Sequence, residues 1–289
     1  MKEGAILKNE VLLFLNVKPG GFYIDGTAGC GYLSSAVLEK LGVDGRLLMI
    51  DIDGKVTDAL IKQPPFTDGR VILVNDSYCN IPSVLKKNGL RQSDGIFFDF
   101  GVGTPQLNAP RGFSFLKNSF LDMRYSEKTK LRAWDVINTF SEKQIADILF
   151  KFGGEFDSRK IARRIIRQRT EKPINTSGEL AETVMKAKRR GKTHPATKTF
   201  QAIRIYINGE LENISAIFGF LPEILKQGGR AVFLSYHSLE DRIVKNAFKN
   251  LEKEKKIEIL TKKPLTPDRE QRKEQPRSRS AKLRAFVLL

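Results

Sequence analysis

An α/β fold built on a parallel sheet, with a helical segment inserted into it, is predicted by three features of this 289-residue sequence. Four apolar runs of strand length each run out at an aspartate: "FYID" at 22–25, "RLLMID" at 46–51, "VILVND" at 71–76 and "GIFFDFG" at 95–101. A helical pattern separates the first two, the pitch expected of parallel strands joined by a crossover. A long interval, 105–204, then reads as helix throughout before a fifth apolar run, "GGRAVFLSYHS" at 228–238, resumes the sheet.

In "LSSAVLEKLG", Leu33, Val37, Leu38 and Leu41 recur at helical spacing, and Gly42 is a suitable stop. The interval carries "SEKQIADILFKFG", "SRKIARRIIRQRT" and "SGELAETVMKAKRR", each amphipathic and each opening on a serine that can cap it. "GELENISAIFGFLPEILKQ" is a further helix leading into the fifth run. The expected borders are 1–104 with 205–289 for the sheet domain and 105–204 for the helical insert. No internal repeat is present, and only "TPDREQRKEQPRSRSAKLRAF" approaches low complexity.

With 40% hydrophobic residues the chain can bury a sizeable core. No apolar run approaches ~18 residues, and the first residues show neither a secretory nor a transit pattern, so a cytoplasmic protein with no membrane partner is expected. Cys30 and Cys79 have no metal-site spacing, so reduced packing residues are expected and no metal. The net charge of +17 is localised. Residues 158–204 carry 14 Lys/Arg against 3 Asp/Glu, and residues 261–289 carry 9 against 3, giving +11 and +6, the whole excess. A solvated cationic face is the plain reading of one such run. Two runs holding all the excess point to a polyanion, nucleic acid before an anionic membrane, because neither pairs its charge with a strong apolar stripe.

Gly29 and Gly31 follow Asp25, and Asp51 lies 20 residues past Gly31 at the end of the next run. Glycines admit close approach of a ligand to backbone, and a carboxylate so placed can accept ribose hydroxyls, which suits an adenosine-type cofactor. A dinucleotide fingerprint would place a third glycine where Ser34 stands. The spacing Asp-x-x-x-Gly-x-Gly resembles the first motif of S-adenosylmethionine-dependent methyltransferases, although plain strand-to-helix connections share it.

"DGIFFDFGVGTPQLNAPRGFSF", "LDMRY", "HPATKTFQAIRIYINGELE", "SYHSLEDRIVK" and "PRSRSAKLRAF", in this order over nearly the whole chain, closely resemble the bacterial family that methylates N4 of a cytidine in 16S rRNA. The resemblance implies a Rossmann-like S-adenosylmethionine-dependent methyltransferase domain with an inserted all-helical domain. It also implies S-adenosyl-L-methionine as cofactor and a cytidine at the decoding centre as target. Partner and substrate would be 16S rRNA, in the small subunit or an assembly intermediate, and a homodimer stays open. Carried over by motif, the cofactor contacts fall on the turn, with Asp25, Gly29, Gly31, Tyr32 and Leu33, and on Asp51, Tyr78, Asp99 and Gln106. Asp51 would hold the ribose, Tyr78 would pack on the adenine, and Asp99 with Gln106 would sit near the sulfonium.

The family turn usually reads Gly-x-Gly-Gly-His, where this chain has Gly29-Cys30-Gly31-Tyr32-Leu33. The usual Ser-Ser is Gly103-Thr104, and Glu3 stands near the usual N-terminal histidine. Asp99 and His237 are the candidate catalytic residues. Asp99, ending the fourth run, is an acceptor for the cytosine amino group. His237 is a base contact or proton relay, or equally a structural histidine; His194 could cap a helix. Arg111, Arg124 and Arg204 could hold phosphate or pair with strand-end carboxylates. Two rivals remain: a nicotinamide oxidoreductase, which leaves the charge unexplained, and a non-catalytic or altered-substrate RNA-binding paralogue with a degenerate cofactor pocket.

Overall fold

The computed structural model describes residues 4–188, 191 and 193–289. Glu3, Arg189, Arg190 and Lys192 lie outside them. The chain divides into two compact units, Met1–Gly101 with Leu211–Leu289, and Val102–Glu210.

The first unit opens with α1 (Lys8–Leu15), β1 (Phe22–Asp25), α2 (Tyr32–Leu41), β2 (Arg46–Asp51), α3 (Gly54–Leu60), β3 (Val71–Asn75), α4 (Ile81–Lys87) and β4 (Ser93–Asp99). The second unit holds α5 (Thr104–Asn108), α6 (Ala133–Thr139), α7 (Glu142–Gly153), α8 (Ser158–Glu171), α9 (Ser177–Ala187) and α10 (Thr197–Asn208). The chain returns through α11 (Glu210–Ile224) to β5 (Leu225–Ser235), α12 (Ser238–Lys253), β6 (Ile257–Ile259), α13 (Arg269–Glu274) and β7 (Lys282–Leu288).

The strands form one sheet in the order β3-β2-β1-β4-β5-β7-β6. β1 to β5 are parallel, and β7 runs antiparallel between β5 and β6. The strand-length runs are apolar on both faces because both faces are covered. Ile24, Leu48, Ile50, Ile96, Phe98 and Phe233 point into one core, which also takes Val84 of α4, Ile217 and Leu221 of α11, and Val244 and Phe248 of α12. Their neighbours Tyr23, Leu47, Met49, Phe97, Val232 and Leu234 point into the other, against Val11 and Leu15 of α1, Val37 and Leu41 of α2, and Leu60 of α3. The order of strands reverses at β1, between β2 and β4, and the crevice at the carboxyl ends there is where such sheets take ligands.

In the second unit the amphipathic faces bury Ile145 and Leu149 of α7, Ile161 and Ile165 of α8, and Leu180 and Val184 of α9. Ser141 caps α7 as expected, its hydroxyl accepting from Gln144 N while the Gln144 side chain accepts from Ser141 N. The other two serine caps are corrected. α8 starts from Asp157, with no side-chain cap. α9 starts one residue early, from Thr176, whose hydroxyl accepts from Glu179 N. Ser177 instead donates to Lys117 O at 2.9 Å, tying the helix start to a loop. The tail read as near low complexity is also corrected: it forms α13 and enters β7, where Leu283, Ala285 and Phe286 are fully buried.

Candidate functional site

Three strand ends of the first unit carry carboxylates, Asp25 on β1, Asp51 on β2 and Asp99 on β4, and the glycine turn is tied to all three. Thr27 N donates to Asp25 Oδ1 at 2.9 Å, Gly29 N to Asp51 Oδ2 at 2.8 Å, and Thr27 Oγ1 accepts from Asp99 N at 2.6 Å. The turn needs its glycines for two different reasons. Gly29 and Gly31 both have positive φ, 50° and 74°. A Cβ on Gly31 would lie 2.3 Å from the Phe66 ring, whereas one on Gly29 would meet only Thr27 O at 3.7 Å, leaving open space beside the turn.

Asp25 is 1% exposed, and its other oxygen accepts from Ser34 Oγ at 2.6 Å. Ser34, standing where a dinucleotide site has glycine, thus anchors α2 to β1. Burial pushes the Asp25 carboxyl up to about 7, with the Asp99 and Asp51 charges adding to the rise and the Ser34 and Thr27 bonds opposing it. Asp25 is thus bonded to both the turn and α2. The Leu33 side chain, 5% exposed, packs in the core with Val37 and Leu41. Tyr32, the first residue of α2, is 42% exposed.

Asp51 accepts from two backbone donors, Gly29 N and Asp53 N at 2.8 and 2.9 Å, which fixes the carboxylate's plane. Asn75 and Asp76, just after it in space, donate to the Asp51 carbonyl. Tyr78 follows at the end of β3, half-buried, its ring edge-on to Phe98 at 5.8 Å. Gln106 is buried in α5 of the second unit.

Asp99 is half-buried. The Tyr236 hydroxyl donates to its Oδ1 at 2.6 Å, and among the described residues its Oδ2 accepts no hydrogen bond. Burial lifts the Asp99 carboxyl to about 6; the Tyr236 bond counters this, and the nearby Glu240 charge adds to it. Burial, then the charge of Asp99, holds the Tyr236 hydroxyl well above its ordinary value, so it stays a donor. Tyr236 is a residue that sequence reasoning missed. Its signal was its place beside Ser235, where the fifth apolar run reaches the same sheet edge.

His237 is the N-cap of α12. Its Nδ1 accepts from Glu240 N at 3.3 Å, and the buried Glu240 carboxylate accepts from Tyr236 N at 2.7 Å and His237 N at 3.3 Å. That geometry belongs to the structural alternative for His237. The capping box in turn fixes Tyr236, and through it Asp99. His194 stacks on Phe115 at 4.2 Å in the second unit, and its Nδ1 accepts from Ala196 N at 3.2 Å at the start of α10, as a helix-capping side chain does. Arg124 forks onto Asp122, Arg204 onto Glu210, and Arg111 lies over Phe113 at 5.4 Å.

The basic segments are partly used within the protein. Lys282 and Arg284 both bind Asp241, Lys188 pairs with the buried Glu155, and Arg169 donates to the Ile137 and Phe140 carbonyls. Arg159, Lys160, Arg163 and Arg167 of α8 remain on the surface, as do Lys262, Lys263, Arg277 and Arg279. No helix among the described residues is long and apolar enough to cross a membrane.

A crystal structure from Clostridium thermocellum, provisionally described as an rRNA methylase, aligns over 100% of both chains at TM-score 0.50 and 13% identity, a likeness of fold: the Rossmann-like arrangement of methyltransferases. The ribosomal RNA small subunit methyltransferase H of Syntrophus aciditrophicus is 40% identical over 96% of this chain and 95% of its own. Its counterpart from Sulfurihydrogenibium sp. is 42% identical over 97% of both. The model of the MraW methylase family matches residues 2–288, from before α1 to the last residue of β7, so the turn, the three aspartates and the tyrosine that holds Asp99 all fall within the match, and this chain belongs to that family.

Proposed function

We propose that the protein transfers a methyl group from S-adenosyl-L-methionine to N4 of a cytidine in 16S rRNA. The observation that carries this reading is the Asp99 carboxylate: one oxygen fixed by Tyr236, the other open, at a sheet edge bearing two more carboxylates. Membership of a methylase family and relatives named for small-subunit rRNA support it.

The residues present fit the donor. Asp51 is an acceptor-only group suited to paired ribose hydroxyls, Gly29 leaves space beside the turn, and the acidic edge complements a sulfonium and an ammonium. When bound, this donor supplies an electrophilic methyl group. Asp51 holds the ribose, and the half-buried Tyr78 offers ring surface to the adenine. Asp99 Oδ2 accepts a hydrogen of the cytosine amino group, which orients its nitrogen and raises its electron density, and it can hold the proton that must leave. With a carboxyl poised near 6, it is largely ionised at neutral pH and so available for both tasks. The exposed arginines of α8 grip the RNA backbone while the target base is splayed from its stack.

One observation favours a second reading, an altered-substrate or non-catalytic rRNA-binding paralogue: Tyr32 places an exposed ring at the turn where family members have glycine. Deleting the gene in its host and analysing rRNA nucleosides by mass spectrometry separates the two. The methylation reading expects loss of N4-methylcytidine that the wild type restores and Asp99→Asn does not. Persistence of the modification in the deletion strain, with purified protein that binds rRNA but not S-adenosylmethionine, would establish the paralogue instead.

A further inference from the structure

The second unit contains a cavity of about 440 Å³ lined by Arg124, Lys130, Leu131, Arg132 and Asp135, three cations and one carboxylate. It lies outside the two segments that hold the net charge. Its arginines are fixed in place. Arg124 donates to both Asp122 oxygens at 2.7 and 2.9 Å and to Thr129 O at 2.9 Å. Arg132 donates through Nε and Nη2 to both Asp135 oxygens at 3.1 Å, and its guanidinium lies 5.7 Å from the Phe120 ring and 5.8 Å from the Trp134 ring. Asp135 also accepts from Arg132 N at 2.8 Å. The arginines hold both carboxyls below the usual range, and the aspartates stay ionised partners.

This leaves two groups unspent. Lys130 is exposed, and among the described residues it makes no hydrogen bond or ion pair; Arg132 Nη1 likewise has no partner. A guanidinium edge held by Asp135 and an exposed ammonium on one concave wall suit a compact, multidentate anion. The geometry points to a subsite for an RNA phosphodiester, whose non-bridging oxygens meet Lys130 Nζ and Arg132 Nη1. This rests on the rRNA-substrate reading and adds a second grip to the one on α8. Charge counting along the sequence passes over it, because Asp122 and Asp135 neutralise two of its three cations.

The protein carries its own reporter, since Trp134 is its only tryptophan. A single-stranded oligoribonucleotide of about a dozen residues, titrated into the full chain, is expected to change Trp134 emission on binding. Lys130→Glu should weaken that binding at least ~10-fold, and Lys130→Ala less. Each lost phosphate contact should reduce the slope of log affinity against log salt by about 0.7. Lys130 has no partner in the fold to lose, so circular dichroism and S-adenosylmethionine affinity should match the wild type. Arg132→Lys keeps the charge but not the fork and should fall between. Wild-type affinity and salt slope in Lys130→Glu, while reversal of Arg163 and Arg167 weakens binding, overturns the subsite alone. Failure of the wild type to bind any RNA, or binding of inorganic phosphate but not the oligonucleotide at equal ionic strength, overturns the RNA reading with it.

Discussion

The Tyr236 hydroxyl donates to Asp99 Oδ1 across 2.6 Å, joining the residue after β5 to the last residue of β4. This bond favours the ionised carboxylate against the burial that disfavours it. Tyr236→Phe removes it, so the Asp99 carboxyl should rise further and the pH–rate profile at saturating donor should move to higher pH. The rate deficit should be large near pH 6 and shrink as pH rises. A profile scaled down uniformly at every pH would mean that Tyr236 acts on something other than this ionisation.

Asp99→Asn keeps the shape and removes the charge. Loss of one preorganised transition-state contact typically costs ~10² to 10³ in rate. Single-turnover kinetics should therefore show that loss at saturating donor with little change in donor affinity. If affinity falls instead and the saturated rate holds, Asp99 serves the sulfonium.

Calorimetry on Asp51→Ala should show S-adenosylmethionine binding weakened by ~1.5 to 3 kcal/mol, the range for losing charged hydrogen-bond partners. Because Asp51 also receives Gly29 N and Asp53 N, the variant should melt lower even without ligand. Asp51→Asn, which keeps an acceptor, separates the two effects by restoring more stability than affinity.

Asp25 makes a prediction about stability rather than turnover. Its carboxyl rises from 3.8 to about 7 on folding, so the folded state holds the proton more tightly than the unfolded chain. The associated stability is complete below the unfolded value and is lost as pH rises through about 7, at up to ~1.4 kcal/mol per pH unit. Urea unfolding between pH 4.5 and 8 should show this decline in the wild type and a flatter profile in Asp25→Asn.

The arginines of α8 should divide by function. Arg163 and Arg167 side chains are 77% and 74% exposed, with only loose partners at 3.7 and 3.9 Å, so reversing both should leave the melting temperature nearly unchanged. RNA affinity and its salt dependence should both fall. Arg169→Ala should do the opposite, destabilising the fold by ~1 to 3 kcal/mol because the Ile137 and Phe140 carbonyls lose their donor.

Strand positions were legible because an apolar run with both faces buried has few alternatives, and β1 and β2 begin and end where the runs do. β7 escaped because Lys282 and Arg284, which read as part of a basic tail, are neutralised by Asp241, a partner 41 and 43 residues away. The aspartates of the site were visible as strand ends. Their division of labour was not, since it depends on Ser34 meeting Asp25 and Tyr236 meeting Asp99, contacts that only the assembled sheet creates. The burial of the Leu33 side chain was not legible either: a family motif gives a position, and the helix's rotation decides which way the side chain faces. Restoring histidine there would bury an imidazole in an apolar core and should destabilise the protein.

The place of β7 in the sheet has a consequence for biosynthesis. β5 pairs with β4 on one side and with β7 on the other, and β7 in turn supports β6. Until residues 282–288 emerge from the ribosome, β5 presents a bare edge flanked by Val232, Phe233 and Leu234, while the second unit has already been translated in full. The nascent chain thus passes through a stage in which the second unit is already synthesised while the first is an open sheet prone to pairing with other chains. Synthesis order therefore makes the arrival of β7 the step that covers the β5 edge.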